Sequence, residues 1–328
     1  MIRLGVIYGG ISTEHDVSIM SAKSVIDNLD KEKYEIHEIY INEYGKWLEN
    51  DEEIYNLIWK LKELDVVFPV LHGLGGEDGT IQGMLELLKV PYVGCGVLAS
   101  SVGMDKVYTK IVFEKAGIPQ APYIYIKRIE DEYVIVNDNF EEQEFKIEKI
   151  TSKLKYPMFV KPSNSGSSVG VKKVTTAQEL KMAIEYAGQY DTKILVEQGI
   201  NGKEVECAIL DGKEVTSSTV GEIMSAEDFY SFDAKYNIPE SKTVIPAQIT
   251  EAQIEEIRKL AVRAFKAIDG KGLSRVDFFV EKESNKIYIN EINTMPGFTK
   301  ISMYPKLFEA VGISYSELLD KLIESAME

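Results

Sequence analysis

Near its carboxy-terminal end the chain reads Lys286-Ile-Tyr-Ile-Asn-Glu-Ile-Asn-Thr-Met-Pro-Gly-Phe-Thr299, a strand-like run that carries a carboxylate where an apolar side chain would be usual. Alternation along a strand places Ile289, Glu291 and Asn293 on one face and Asn290 and Ile292 on the other. Glu291 and Asn293 then offer a carboxylate and an amide oxygen side by side, just before a Pro-Gly turn. Upstream, Leu273-Ser-Arg-Val-Asp-Phe-Phe-Val280 puts Arg275 and Asp277 on a shared face in the same way. Two adjacent strands with these faces aligned would gather Asp277, Glu291 and Asn293 around a hard cation, which demands oxygen ligands. With an arginine beside them, the set suits magnesium-bound phosphates. A surface hairpin with solvated charges is the bland alternative for these two segments alone.

Other loops weigh against that alternative. Lys161-Pro-Ser-Asn-Ser-Gly-Ser-Ser-Val-Gly170 joins two strands, and its small residues let backbone amides approach an anion. It is not a Walker-type loop, because the lysine precedes the glycines. Taken in isolation, a Ser/Gly hairpin without a ligand is the commoner reading. Ile194-Leu-Val-Glu-Gln-Gly-Ile200 is an apolar strand ending in Glu197. A carboxylate there can bind a ribose hydroxyl pair, while the Gln198 and Ile200 backbones can read an adenine edge. Glu204 follows after a short turn. Individually these are ordinary strand ends, and Lys106 alone would be a solvated lysine at a helix start.

The elements that must position these groups can be read from periodicity. A chain of 328 residues predicts two or three domains around separate cores. Residues 2–8 read as a buried strand, Gly9-Gly10 as a turn, and Ile19, Ala22, Ile26 and Leu29 as a helix stripe. A second apolar run, 66–71, ends at His72-Gly-Leu-Gly-Gly76 and is followed by a stripe of Ile81, Met84, Leu85 and Leu88. Strand–loop–helix repetition implies a parallel sheet covered by helices, with functional loops at the strands' carboxyl ends. This α/β unit is expected to span 1–103. A second unit, 104–197, opens with a helix over 107–116, passes through a polar, acidic stretch near 127–150 and continues with a strand at 158–161. The third, 198–328, has strands near 204–210, 214–220, 273–280 and 286–292, a helix over 250–268 and a last helix over 314–325. Between them, 222–246 lacks periodicity and reads as a lid.

A net charge of −16 argues against nucleic acid or an anionic membrane as the main partner. Cys95 and Cys207 form no spacing motif and predict a reducing compartment. The opening apolar run is too short for a signal peptide, and no run reaches the length of a membrane span. A cytoplasmic protein is expected.

Taken together the segments resemble the ATP-grasp enzymes, and specifically the D-alanine–D-alanine ligase family. The resemblance runs in order through Gly9 to Ser18, His72 to Gly83, Met104-Asp-Lys106, Lys161 to Gly170, Phe229 to Tyr236, Arg275-Val-Asp277 and Glu291 to Gly297. It implies a three-domain ATP-grasp architecture, α/β with α+β character in the carboxy-terminal parts. It also implies ATP, two magnesium ions replaceable by manganese, two D-alanine sites and a homodimer formed through the first domain. By the same resemblance Lys106, Lys161 and Ser168 contact nucleotide phosphates, Glu197 takes the ribose, Gln198 and Ile200 the adenine, and Glu204 lies nearby. Asp277, Glu291 and Asn293 hold the two ions. Lys235 reaches the transferred phosphate, and Arg275 with the Gly297 amide stabilises an oxyanion. Ser302 and the Met303 amide receive the acceptor carboxylate. Glu14 anchors the first ammonium beside His72, and Glu14, Ser167 and Tyr236 form a hydrogen-bonded set. Tyr236 and the aliphatic Met303 favour a small D-amino acid acceptor. D-serine or D-lactate in that place is the alternative, and a non-catalytic ATP or D-amino-acid sensor a more remote one.

Overall fold

The computed structural model describes residues 1–224 and 242–328, arranged as three sheets with helices packed on them. The first sheet holds β1 (Ile2–Gly9), β2 (Tyr34–Ile41), β3 (Trp47–Glu49), β4 (Glu52–Glu53) and β5 (Val66–Pro69) in the order β4-β3-β2-β1-β5. β1 runs parallel to both β2 and β5, as the strand–helix pattern predicts, whereas β3 and β4 add an antiparallel edge. Leu4, Val6 and Ile7 are fully buried, which is why β1 reads as a continuous apolar run rather than an alternating one. The strand ends at Gly9, where φ is +90° and a Cβ would stand 2.1 Å from the Ile41 carbonyl oxygen, so only glycine fits. The chain turns there into the helix His15–Asn28, leaving Glu14 at its amino-terminal end, beyond the carboxyl edge of the sheet.

The second sheet is antiparallel: β6 (Tyr123–Ile129), β7 (Glu132–Val136), β8 (Glu142–Glu144), β9 (Met158–Pro162), β10 (Lys172–Val174) and β11 (Lys193–Gln198), ordered β10-β9-β11-β6-β7-β8. The acidic stretch near 127–150 becomes the meander of β7 and β8 with the short helix Ile147–Thr151. The third sheet, also antiparallel, orders β12 (Gly202–Asp211), β13 (Val215–Met224), β14 (Lys242–Val244), β15 (Leu273–Glu281) and β16 (Ile287–Asn293) as β14-β13-β12-β15-β16. The helix Glu251–Ala267 covers one face with Ile257, Leu260, Ala264 and Phe265, and starts with a Thr250–Gln253 capping box.

Separate cores were expected for each unit; the packing also joins the first and third through one common cluster. Leu4, Val6 and Phe68 of the first sheet share one cluster with Leu210, Phe298, Tyr304, Phe308 and Leu322 from the carboxy-terminal part. The Phe68 and Phe298 rings meet edge-on at 5.4 Å, and Tyr34 Oη donates to Asp320 at 2.6 Å. Beside this shared cluster the first unit keeps a core of its own, with Ile7, Ile39, Val67 and Leu85, and the second sheet another, with Ile126, Val160, Ile184 and Val196.

A second departure concerns β16. Asp277 pairs with Glu291, but the next residue of β15, Phe278, pairs with Ile289, so Asn290 is an extra residue on β16. The bulge shifts the alternation by one. Ile289 and Ile292 therefore both enter the same core, at 1 % and 3 % exposure. Ile289 does not share a face with Glu291 and Asn293, as plain alternation had placed it. Among the described residues no helix is long and apolar enough to cross a membrane.

Candidate active site

A cleft of about 490 Å³ opens where the three sheets meet, and side chains from all of them line it. From the first come Glu14 and His72; from the second Lys106, Lys161, Ser167, Ser168 and Glu197; from the third Arg275, Glu291, Asn293, Gly297, Ser302 and Met303. Residues far apart in the sequence thus converge on one space. Lys235 and Tyr236 lie outside the described residues. Gln198, Ile200 and Glu204 are not among those lining the cavity. The Gln198 N–H already donates to the Pro122 carbonyl and its Oε1 accepts from the Lys155 N–H, both at 2.9 Å.

At the carboxy-terminal wall, Arg275 Nε and Nη2 donate to the two oxygens of Asp277 at 2.8 and 2.7 Å. The same Nε lies 3.1 Å from Glu206 Oε2. Burial would lower the guanidinium's pKa, but Asp277 and Glu206 outweigh it and hold the group well above its ordinary value. Asn293 Nδ2 also donates to Asp277, at 3.0 Å. The expected cation ligands are therefore together, with Asp277 turned toward Arg275 beneath the cavity surface. A magnesium ion fits this set chemically. Asp277 faces Glu291 across the ladder, and Asn290 Oδ1 is buried without a hydrogen-bond partner among the described residues. Oxygen donors suit a hard ion, and Asn293 can present its oxygen once the amide is turned over.

At the nucleotide end, both oxygens of Glu197 meet a lysine: Lys161 Nζ lies 2.8 Å from Oε2 and Lys110 Nζ 2.5 Å from Oε1. Burial pushes the Glu197 carboxyl up, yet the two ammonium groups prevail and hold it at about 2. Lys106 Nζ donates to the Ser165 carbonyl at 2.5 Å, pinning the glycine-rich loop. Asp105 caps the helix Lys106–Lys115 by accepting from the Val107 and Tyr108 N–H groups, and also takes a hydrogen bond from Ser163. Sequence reading passed over Lys110, Asp105 and Glu206. The available signals were a lysine one turn after Lys106, a capping aspartate, and a glutamate two residues beyond Glu204 on the same strand face.

At the opposite end, Glu14 sits between two glycines. A Cβ on Gly73 or on Gly166 would come within 2.5 Å of Glu14 Oε2, and Ser167 Oγ donates to Oε1. Ser167 and Ser168 adopt φ of 47° and 61°, the left-handed region, which turns the loop toward the first sheet. His72 is 4 % exposed, with Nδ1 3.1 Å from the Met295 carbonyl and Nε2 3.0 Å from Ser21 Oγ. Burial draws its pKa down, but Glu77 leads the groups that raise it, and the net shift is upward. Both ring nitrogens are thus engaged by the protein. Ser302 Oγ accepts from the Thr299 N–H at 3.0 Å, and a Cβ on Gly297 would come within 2.8 Å of it. Met303 lies in the shared core, its sulfur 2.8 Å from where a Gly221 Cβ would stand.

Residues 112–324 match the family model described as D-ala D-ala ligase C-terminus, and 3–61 with 56–95 match D-ala D-ala ligase N-terminus. A D-alanine–D-alanine ligase of Acetivibrio thermocellus is 50 % identical, with 99 % of this chain and 96 % of that one aligned. Among solved structures, the VanG D-Ala:D-Ser ligase from Enterococcus faecalis superposes with a TM-score of 0.86 at 36 % identity, covering 99 % of both chains. The D-alanine–D-alanine ligase from Bacillus anthracis, complexed with ATP, gives 0.80 at 33 % identity, covering 100 % of this chain and 98 % of that one.

Proposed function

The chain belongs to the D-alanine–D-alanine ligase family, and from that premise we propose that it joins two D-alanines at the expense of ATP for peptidoglycan precursor synthesis. The observation that carries this reading is the cleft itself, where the Glu14 carboxylate shares one space with Lys106, Lys161 and the Arg275–Glu291 wall. A carboxylate cannot be displaced by an amine directly at neutral pH, because oxide is too poor a leaving group. The first D-alanine, held through its ammonium by Glu14, attacks the γ-phosphorus of ATP with its carboxylate oxygen. ADP departs and an acyl phosphate forms. Lys106 and Lys161 neutralise the nucleotide phosphates as point charges.

Asp277, Glu291 and Asn293 would hold magnesium, which supplies charge neutralisation at the transferring phosphoryl group. Next the free amine of the second D-alanine attacks the acyl carbon, giving a tetrahedral oxyanion. The Arg275 guanidinium and the Gly297 N–H stabilise it, after which phosphate leaves and the nitrogen sheds a proton. Ser302 and the Met303 N–H orient the acceptor carboxylate. Lys235, Tyr236 and Glu204 take their roles from the resemblance, as does the homodimer through the first domain; the adenine role of Gln198 and Ile200 rests also on their place at a strand end, and the cytoplasmic location on cysteine usage and the short apolar runs.

The likeness to a D-Ala:D-Ser ligase supports a second reading, in which D-serine is the acceptor. One added hydroxyl is rejected by a small pocket only about 10²-fold at most. Mass spectrometry of products from ATP, magnesium, D-alanine, D-serine and D-lactate decides between them. Predominant D-alanyl-D-alanine upholds the first reading; a D-alanyl-D-serine majority replaces it.

A further inference from the structure

Asp105 has no part in the mechanism above, yet it is 5 % exposed and joins three segments that meet beside the cleft. Its Oδ1 accepts from the Val107 and Tyr108 N–H groups, both at 3.2 Å, and from Ser163 Oγ at 2.5 Å. Its Oδ2 accepts from Lys193 Nζ on β11 and from Asn164 Nδ2 at 3.4 Å. The backbone ties the same segments: the Lys106 N–H donates to the Ser163 carbonyl at 3.1 Å, and the Ser163 N–H to the Lys193 carbonyl at 2.9 Å. Asn164 is held a second time, its N–H and Nδ2 donating to Asp191 Oδ2 at 2.8 and 2.9 Å.

Capping a helix needs only a short side-chain oxygen, and serine serves as well as aspartate. Asp105 does more than cap, because its remaining acceptor capacity goes to the glycine-rich loop and to β11. Hydrogen bonds to an ionised acceptor are roughly twice as strong as neutral ones. Charge alone argues against a carboxylate here, since it would repel a triphosphate brought to the neighbouring Lys106. What it supplies is fixed geometry. Lys106, whose Nζ donates to the Ser165 carbonyl, and the loop backbone from Ser163 to Ser165 are held in one mutual position before a nucleotide arrives. Less ordering is then left to be done on binding.

We propose that Asp105 is a positioning residue that locks Lys106 and the root of the glycine-rich loop into one phosphate-binding unit. This rests on the reading of Lys106 as a phosphate contact, and the experiment separates the two. Affinities for a non-hydrolysable ATP analogue with magnesium, and for adenosine, are measured by calorimetric titration. The proteins are the wild type, Asp105→Ser, Lys106→Met and the double variant Asp105→Asn with Lys193→Met, with melting temperatures recorded for each.

Asp105→Ser keeps the helix cap but gives up the bonds to Ser163, Lys193 and Asn164. Analogue affinity falls roughly 10- to 100-fold, as expected when charge-assisted hydrogen bonds are lost. Adenosine affinity changes less than about threefold, because adenosine carries no phosphate. The double variant, which leaves no ammonium without its carboxylate, shows the same split and replaces the serine variant if that one does not fold. An Asp105 variant that folds and binds the analogue as well as the wild type, or more tightly as removal of a repelling charge would dictate, overturns the proposal while leaving the Lys106 reading intact. Equal losses for analogue and adenosine also overturn it, since they mark general damage to the fold. Full analogue affinity in Lys106→Met overturns both.

Discussion

The two glycines around Glu14 make a quantitative prediction for Gly166→Ala. The added methyl carbon would stand 2.5 Å from Glu14 Oε2, about 0.9 Å inside the 3.4 Å at which ordinary contact begins. That oxygen is the far end of a flexible side chain, and Gly73, which carries no Cβ, leaves it room to yield. The carboxylate must therefore slide sideways, out of reach of Ser167 Oγ. A hydrogen bond to a charged group contributes about 1.5–3 kcal/mol, and a displacement near 1 Å at a reacting centre lowers rates about 10²-fold. D-alanine affinity, measured by calorimetric titration with a non-hydrolysable ATP analogue present, should fall roughly 10- to 100-fold. Turnover followed by coupled ADP release should fall in parallel, and analogue affinity should change less than about threefold. Wild-type D-alanine affinity in the variant, or a loss confined to the nucleotide, would refute the placement of Glu14 as the ammonium anchor.

If the Arg275 donors serve the proposed tetrahedral oxyanion, Arg275→Ala should lower turnover by about 10²–10³-fold with little change in the KM for ATP; unchanged turnover removes it from that role. Ile289→Ala should destabilise the protein by about 2–4 kcal/mol in urea titration, because the bulge buries that side chain. A cost under about 0.5 kcal/mol would mean that it faces the cleft after all. The Glu197 carboxyl sits at about 2 rather than 4.5, so its ionised form stabilises the ligand-free protein above pH 4.5. That contribution is lost as pH falls from 4.5 through about 2. The stability difference between wild type and Glu197→Gln should narrow over this window in acid titrations, and a constant difference would contradict the buried ion pair.

Much of the site was legible because its residues sit in short segments where side-chain chemistry conflicts with strand or helix pattern. Glu291 after an isoleucine strand and Gly166 among serines both announce themselves this way. What escaped depends on contacts between distant segments. The bulge at Asn290 leaves no local mark, since a single extra residue shows only against the partner strand that defines the register. Lys110 drew no reading from its own segment, because its partner Glu197 stands on β11, 2.5 Å away in space but distant in the chain. Glu206 gained meaning only from lying opposite Asp277. The shared core was hidden for the same reason: Phe68 and Phe298 are apolar residues of unremarkable surroundings, and nothing near either names the other.

That common core has a consequence for how acceptor choice can change. The wall bearing Glu14 and the wall bearing Gly297 to Met303 are welded through Phe68, Phe298 and Tyr304. Sliding one past the other would drag those rings into water. A relative with different taste in its second amino acid must therefore be reached by swapping individual side chains on a fixed frame, and not by reshaping the frame itself.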